Sequence, residues 1–136
     1  IGRVQPQAVQ MEEAVLGAVM LDREAFGIVC ELLRPEHFYL DSHQHIFRSI
    51  CDLANRSCPI DLLTVTEELK RNGTLDSVGG GYYLVELSNR VASSANIEAH
   101  ARIIAEMHIR REVIRVSTEN LQKAYEHGSD AFETLD

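Results

Sequence analysis

The chain has 136 residues, of which 45% are hydrophobic and 25% are charged, a balance that is typical of one ordinary globular domain. Its 13 basic and 21 acidic residues give a net charge of −8, which argues against direct DNA binding by this domain alone, because phosphates would repel it. No apolar run approaches the roughly 20 residues that span a bilayer, and the first residues do not resemble a signal peptide, so we expect no membrane segment and a cytoplasmic location.

The three cysteines, Cys30, Cys51 and Cys58, indicate a reducing environment. Their number is odd, no two have C-x-x-C spacing, and Cys30 and Cys51 fall among apolar helical positions. We therefore expect free, buried thiols rather than a disulfide.

Helical periodicity dominates the first 90 residues. Apolar residues three and four positions apart predict helices over about 7–21, 22–34, 42–56 and 61–72, and a shorter helix after the glycines at 79–81. Pro35 ends the second helix, and either Asp61 or Thr64 begins the fourth. The predicted inner face of the third helix comprises His43, Ile46, Phe47, Ile50 and Ala54.

A different pattern begins near Ala95, from which no proline or glycine interrupts the chain until Gly128. A helix of about 33 residues would be near 50 Å long, whereas a compact domain of this size has a radius of gyration of about 14 Å. The helix must therefore project beyond the globule. Its apolar stripe needs a cover, and the residues after Gly128 resemble the start of a returning helix. The stripe comprises Ile104, Met107, Ile114, Leu121 and Tyr125.

The predicted architecture is thus all-α. A compact helical bundle globule occupies residues 1–92, and a long helix that begins a helical hairpin occupies 93–136. The chain starts at Ile1 rather than at a methionine and stops at Asp136 within a started helix, so we expect a fragment of a longer protein. An apolar seam that lacks its cover also indicates association between chains.

The sequence contains no known catalytic or metal-binding motif. His43 lies on an apolar helix face and points away from His45, which favours a buried, hydrogen-bonded histidine over a metal ligand. Cys51 and Cys58 lack the further ligands of a zinc site. Tyrosines follow the glycines at 79–81, where a phosphate loop would have Gly-Lys-Ser/Thr, so these glycines indicate a tight turn. We therefore assign no catalytic residue, no cofactor and no metal to this chain.

The charged residues of the long helix mostly form local pairs. Glu98 and Arg102, and likewise Glu106 and Arg110, have the favourable spacing of four residues. Arg111 has no acidic residue on its own face of the helix. It could pair with an acidic group of another chain or remain exposed to water, and the sequence leaves both open.

Short signatures follow one another along the chain, at residues 11–22, 38–47, 59–69, 73–87 and 94–104. The first contains Glu12-x-x-Val-Leu-Gly, and the second contains Phe38-Tyr-x-x-x-His-x-x-Ile-Phe. In their order and spacing, from about Pro6 to Tyr125, the chain resembles the N-terminal domain of DnaB-type bacterial replicative DNA helicases. Several ordered signatures are far more specific than one motif.

The resemblance implies a collar or scaffold domain that pairs into dimers, assembles into a hexameric ring and docks primase during DNA replication, with the helicase loader as a further partner. It implies that a C-terminal motor domain absent from this chain uses ATP and Mg²⁺, so the fragment itself would not be an enzyme. For self-association we favour the hairpin seam of Met107, Ile114, Leu121 and Tyr125. For docking of the helicase-binding domain of primase we favour Tyr83, Arg111, Ile114 and Arg115. Because Ile114 belongs to both sets, the two roles compete for one side chain.

Two other functions remain open at this point. The chain could be a stand-alone helical dimerisation or adaptor module, which a gene encoding only this domain would favour. It could also be a helical hydrolase that uses its histidines, an idea that a metal analysis showing no bound ion would end.

Overall fold

The computed structural model describes residues 3–90, 95–126 and 132, and within these it contains α-helices and no β-strand. In chain order the helices are α1 Val9–Leu21, α2 Ala25–Val29, α3 Asp41–Asn55, α4 Leu62–Arg71, α5 Gly80–Arg90 and α6 Ile97–Tyr125. A short 3₁₀ helix, Pro35–His37, lies between α2 and α3. The all-α prediction is confirmed. The predicted boundary between residues 92 and 93 and the predicted return of the chain after Gly128 lie outside the described residues.

The position of α1 at the centre of the globule follows from its composition. Residues 15–20 form an unbroken buried run, and all of them except Gly17 are apolar with a side chain. A helix that is apolar all round has to be enclosed by other elements. α1 accordingly packs against α3, α5 and α6.

The second helix is shorter than the sequence predicts. The pattern indicated a helix from residue 22 to 34, whereas α2 covers only Ala25–Val29. Gly27 weakens the helix from within, and Pro35 disfavours helical geometry at Arg34, whose backbone is extended (φ −123°, ψ 164°). Leu33 is nevertheless buried, as the pattern predicts.

α3 and α4 follow the predicted pattern and refine two of its details. On α3, four of the five expected inner residues are buried, and Leu53 rather than Ala54 completes the face. α4 begins after Asp61, the first of its two predicted start positions. The Asp61 carboxylate accepts a hydrogen bond from the Thr64 N–H, and the Thr64 hydroxyl oxygen accepts one from the Asp61 N–H, both at 2.9 Å. This reciprocal cap satisfies two amide donors at the start of the helix.

α6 divides into a packed half and a projecting half. Ile97, Ala101 and Ile104 are buried, and this part of the helix packs against α1, α2 and the 3₁₀ helix. Every residue from 113 to 126 is exposed. The 29 residues of α6 are about 43 Å long, so the predicted projection beyond the globule is confirmed.

The turn before α5 depends on glycines, as the sequence predicts. Gly79 and Gly80 have φ angles of 109° and 74°, which side-chain-bearing residues rarely adopt. A Cβ atom at Gly79 would lie 3.0 Å from the Cβ of Tyr83. The absence of a side chain at Gly79 therefore lets the first turn of α5 close over the loop.

We expect Gly79→Ala to lower the free energy of unfolding by roughly 1–3 kcal/mol, because the substitution is strained at this φ and crowds Tyr83. The matched control is Gly27→Ala, which meets no atom within 4 Å and lies inside a helix, where alanine is favoured. Urea denaturation measures both variants. Equal stability of the two would contradict this account of the turn.

Candidate protein-binding surface

The projecting half of α6 exposes most of the stripe predicted for self-association. Ile114, Leu121 and Tyr125 are 40%, 60% and 80% exposed. Met107, the fourth residue of that set, lies nearer the globule and is half-buried. Exposed apolar residues aligned on a projecting helix indicate a surface that another segment or chain covers.

A second apolar stripe, which the sequence interpretation missed, lies on roughly the opposite side of α6. It consists of Ile109, Val113 and Val116, all of them exposed. Its spacing of four and three residues was visible in the sequence, but the seven-residue repeat of the first stripe obscured it. The second stripe forms part of an open apolar groove. The groove is lined by His108, Ile109, Glu112, Val113, Val116 and Ser117.

Tyr83, predicted for primase docking, is half-buried and held by a hydrogen-bonded chain of buried groups. Its hydroxyl lies 2.6 Å from Nε2 of His43, and the two rings stack with centroids 5.9 Å apart. Nδ1 of His43 lies 2.7 Å from Oε1 of Glu12, whose Oε2 accepts a hydrogen bond from the Tyr39 N–H at 2.7 Å. The prediction of a buried, hydrogen-bonded His43 is confirmed.

The donors and acceptors of this chain form a consistent set. When Nδ1–H of His43 donates to Oε1 of Glu12, Nε2 is the ring atom left to accept a hydrogen bond from the hydroxyl of Tyr83. Burial and the nearby charge of Glu13 raise the pKa of the Tyr83 hydroxyl to about 12, so it remains protonated and able to donate at neutral pH. The phenol ring therefore has a fixed orientation at the protein surface.

Arg111 occupies neither of the two environments that the sequence left open. Its guanidinium group donates one hydrogen bond to the carbonyl oxygen of Pro6 at 2.8 Å and another to that of His37 at 2.9 Å. It also lies over the ring of Tyr39, 5.3 Å from the ring centroid. The side chain is therefore held against the globule of its own chain.

The other arginine predicted for docking, Arg115, is exposed and paired locally. It forms ion pairs with Glu112 and Glu119 at 3.0 Å. The hydrogen bond from Arg115 lowers the pKa of Glu112. Exposed pairs of this kind stabilise a helix only slightly, so Arg115 and its two glutamates remain able to engage another protein.

Two histidines meet where α6 leaves the globule. The rings of His37 and His108 lie with centroids 4.6 Å apart, and Nδ1 of His37 accepts a hydrogen bond from the Arg34 N–H at 2.9 Å. This bond requires an unprotonated Nδ1. Burial, followed by the proximity of His108, lowers the pKa of His37.

The described residues hold no grouped metal ligands. Across residues 3–90, 95–126 and 132, no three His, Cys, Asp or Glu side chains are placed to share an ion. No helix in this part of the chain is long and apolar enough to cross a membrane.

The three cysteines are free, as predicted, but half-buried rather than buried. Burial raises the pKa of the Cys51 thiol to about 11, which keeps it protonated.

Residues 4–106 match the family model of the DnaB-like helicase N-terminal domain. Among curated proteins, the chain is 53% identical over 135 residues to the replicative DNA helicase DnaB of Rhodothermus marinus and 44% identical over 123 residues to that of Geobacillus stearothermophilus. These alignments cover 99% and 90% of this chain, but only 14% and 27% of the two helicases.

Solved structures give the same family. The chain superposes on the N-terminal domain of the DnaB helicase from Mycobacterium tuberculosis with a TM-score of 0.93 and 37% identity, covering 98% of this chain and 94% of that one. It also matches a DnaB-like replicative helicase whose structure was described together with its interactions with primase. There the TM-score is 0.73 at 28% identity, over 85% of this chain and 27% of the other.

We expect Tyr83→Phe to lower the free energy of unfolding by about 1–3 kcal/mol, because it leaves the buried Nε2 of His43 without a hydrogen-bond partner. The neighbouring Tyr82, 75% exposed, provides the control Tyr82→Phe, for which we expect almost no change. Thermal and urea denaturation measure both variants. A Tyr83→Phe protein as stable as the control would show that the hydroxyl bond contributes nothing.

We also expect the stability to decrease as the pH falls from 7.5 to 5. The fold lowers the pKa of His37 from its usual 6.5, so the unfolded chain binds this proton more readily than the folded chain. The contribution of His37 to the free energy of unfolding is therefore fully present above pH 6.5. It is lost as the pH falls through the pKa that His37 has in the folded state. His37→Asn should flatten this slope. Denaturation midpoints across the pH range provide the measurement, and an unchanged slope in His37→Asn would refute the assignment.

Proposed function

The chain belongs to the family of DnaB-like helicase N-terminal domains, and from this premise we propose that it is the N-terminal scaffold domain of a replicative DNA helicase. In this function it pairs with other copies into dimers and a hexameric ring and docks primase during DNA replication. DNA unwinding, with its ATP and Mg²⁺, is the activity of a motor domain that this chain does not include. The cellular location that goes with this function is the cytoplasm.

The observation that carries the proposal is the projecting half of α6 with its two apolar stripes. Every residue from 113 to 125 is exposed in the described part of the chain. An isolated helix gains little stability in water, and most helical stability in proteins comes from packing of an apolar face. Partners that pack along α6 would supply this stabilisation. A helix that gains its stability from partners in this way would serve to assemble chains.

The second stripe gives α6 an apolar face that does not include Ile114. We assign self-association to the stripe of Met107, Ile114, Leu121 and Tyr125, as the sequence suggested. The second stripe of Ile109, Val113 and Val116 provides an additional apolar face for a neighbouring helix. One face can then pack within a hairpin while the other meets another chain.

For primase docking we propose Tyr83 on α5 together with Ile114 and Arg115 on α6. Because α5 packs against α1 and α4 rather than against α6, a docked primase would have to reach both helices. Arg111, predicted for the same role, is held against its own chain. A fixed phenol ring and an arginine are the residue types enriched at the centres of protein interfaces. The structural relative described with its primase interactions supports this partner. The helicase loader is a further partner for the same domain. The net charge of −8 supports a role in which this domain does not itself bind DNA.

The test is size-exclusion chromatography with light scattering on a longer chain that includes the predicted returning helix. It is run alone and with the helicase-binding domain of the cognate primase. We expect Ile114→Asp to weaken self-association or primase binding by roughly tenfold or more, because it places an unpaired charge in an apolar contact. The control is Leu63→Asp, a side chain 76% exposed on α4 and outside the proposed surfaces, for which we expect no effect.

Each outcome has a defined meaning. If the extended chain neither self-associates nor binds primase, the scaffold function is wrong. If it self-associates but ignores primase, the adaptor interpretation is favoured instead. If Ile114→Asp lowers the unfolding midpoint as much as Leu84→Ala, a core truncation that should cost about 2–5 kcal/mol, Ile114 is ordinary core and the assignment of the interface to it is wrong.

A further inference from the structure

α6 passes from the core into solvent within about three turns of helix. Ile104 is fully buried, Arg111 is half-buried and Val113 is already exposed. The packed half of α6 lies against α1, α2 and the 3₁₀ helix, and the hydrogen bonds of Arg111 hold the end of this half, next to the point where the helix enters solvent.

Arg111 differs from the other arginines of α6. Arg102 and Arg110 pair with acidic residues one turn earlier on the same helix, and Arg115 pairs with acids on both sides of it. The two hydrogen bonds of Arg111 leave the helix. Their acceptors are the carbonyl of Pro6, in the segment before α1, and that of His37, at the end of the 3₁₀ helix.

The chemistry of the contact requires a guanidinium group. A planar fork can donate to two separate carbonyl oxygens at once while its face lies over the ring of Tyr39. The ammonium of a lysine is a point charge that does not reproduce this combination. Hydrogen bonds from a charged donor are also stronger than neutral ones. One side chain thus joins α6 to two other segments of the globule.

We propose that Arg111 is a positioning residue that fixes the angle at which the projecting half of α6 leaves the globule. Through this angle it sets the geometry in which copies of the chain associate. The second statement rests on the proposed scaffold function, whereas the first does not. The role differs from direct contact with a partner, because the guanidinium group is engaged within its own chain.

The test compares Arg111→Met and Arg111→Lys with the control Arg110→Met, which removes an exposed pair from the adjacent position. Residual dipolar couplings of backbone amides report the orientation of α6 relative to the globule. We expect the couplings of residues 113–125 to decrease several-fold relative to those of α1 and α3 in Arg111→Met, and to decrease partly in Arg111→Lys. The control should match the parent chain.

Self-association of the extended chain is then measured by dilution for the same variants. We expect the dissociation constant of Arg111→Met to rise roughly tenfold, with that of Arg110→Met unchanged. Couplings in Arg111→Met equal to those of the parent would overturn the positioning role. Reduced couplings with unchanged association would overturn the link to assembly. If the parent itself does not associate, the self-association part of the scaffold function fails, while the couplings still decide the role of Arg111.

Discussion

The buried carboxylate of Glu12 is the constraint on which the arrangement of the globule depends. It is 1% exposed on the central helix, and a charge in this position is costly unless its oxygens are bonded. Its partners come from the Tyr39 backbone and from His43 on α3, and His43 in turn requires the hydroxyl of Tyr83 on α5. The three helices must therefore assemble in one register for any of these groups to be satisfied.

The same network reaches the base of the projecting helix. Tyr39 donates its N–H to Glu12, while its ring lies beneath the guanidinium group of Arg111. Tyr39 therefore belongs both to the buried hydrogen-bond network and to the contact that holds α6. The apolar stripes of α6 take no part in this network. The domain therefore consists of a globule with its own internal contacts and of an exposed apolar surface on α6.

Much of this structure could be predicted from local patterns, because helical periodicity, caps and helix length are encoded within a few residues. The position of His43 on an apolar face was enough to predict its burial. The contacts of Arg111 were not predictable, because its acceptors are backbone carbonyls 105 and 74 residues away, and every residue type carries a carbonyl. The shortened α2 was missed because its apolar spacing outweighed Gly27 in the interpretation.

Because the projecting half is long, a small rotation of α6 at the contact of Arg111 would produce a large displacement at the tip of the helix. From Arg111 to Tyr125 the helix extends about 21 Å, so a rotation of about 10° at the base would move the tip by about 4 Å. Packed helices lie about 8–10 Å apart, and a shift of that size would take side chains out of the grooves they fill. The geometry with which copies of the chain pack together would then depend on the contacts within each globule as well as on the surfaces that touch.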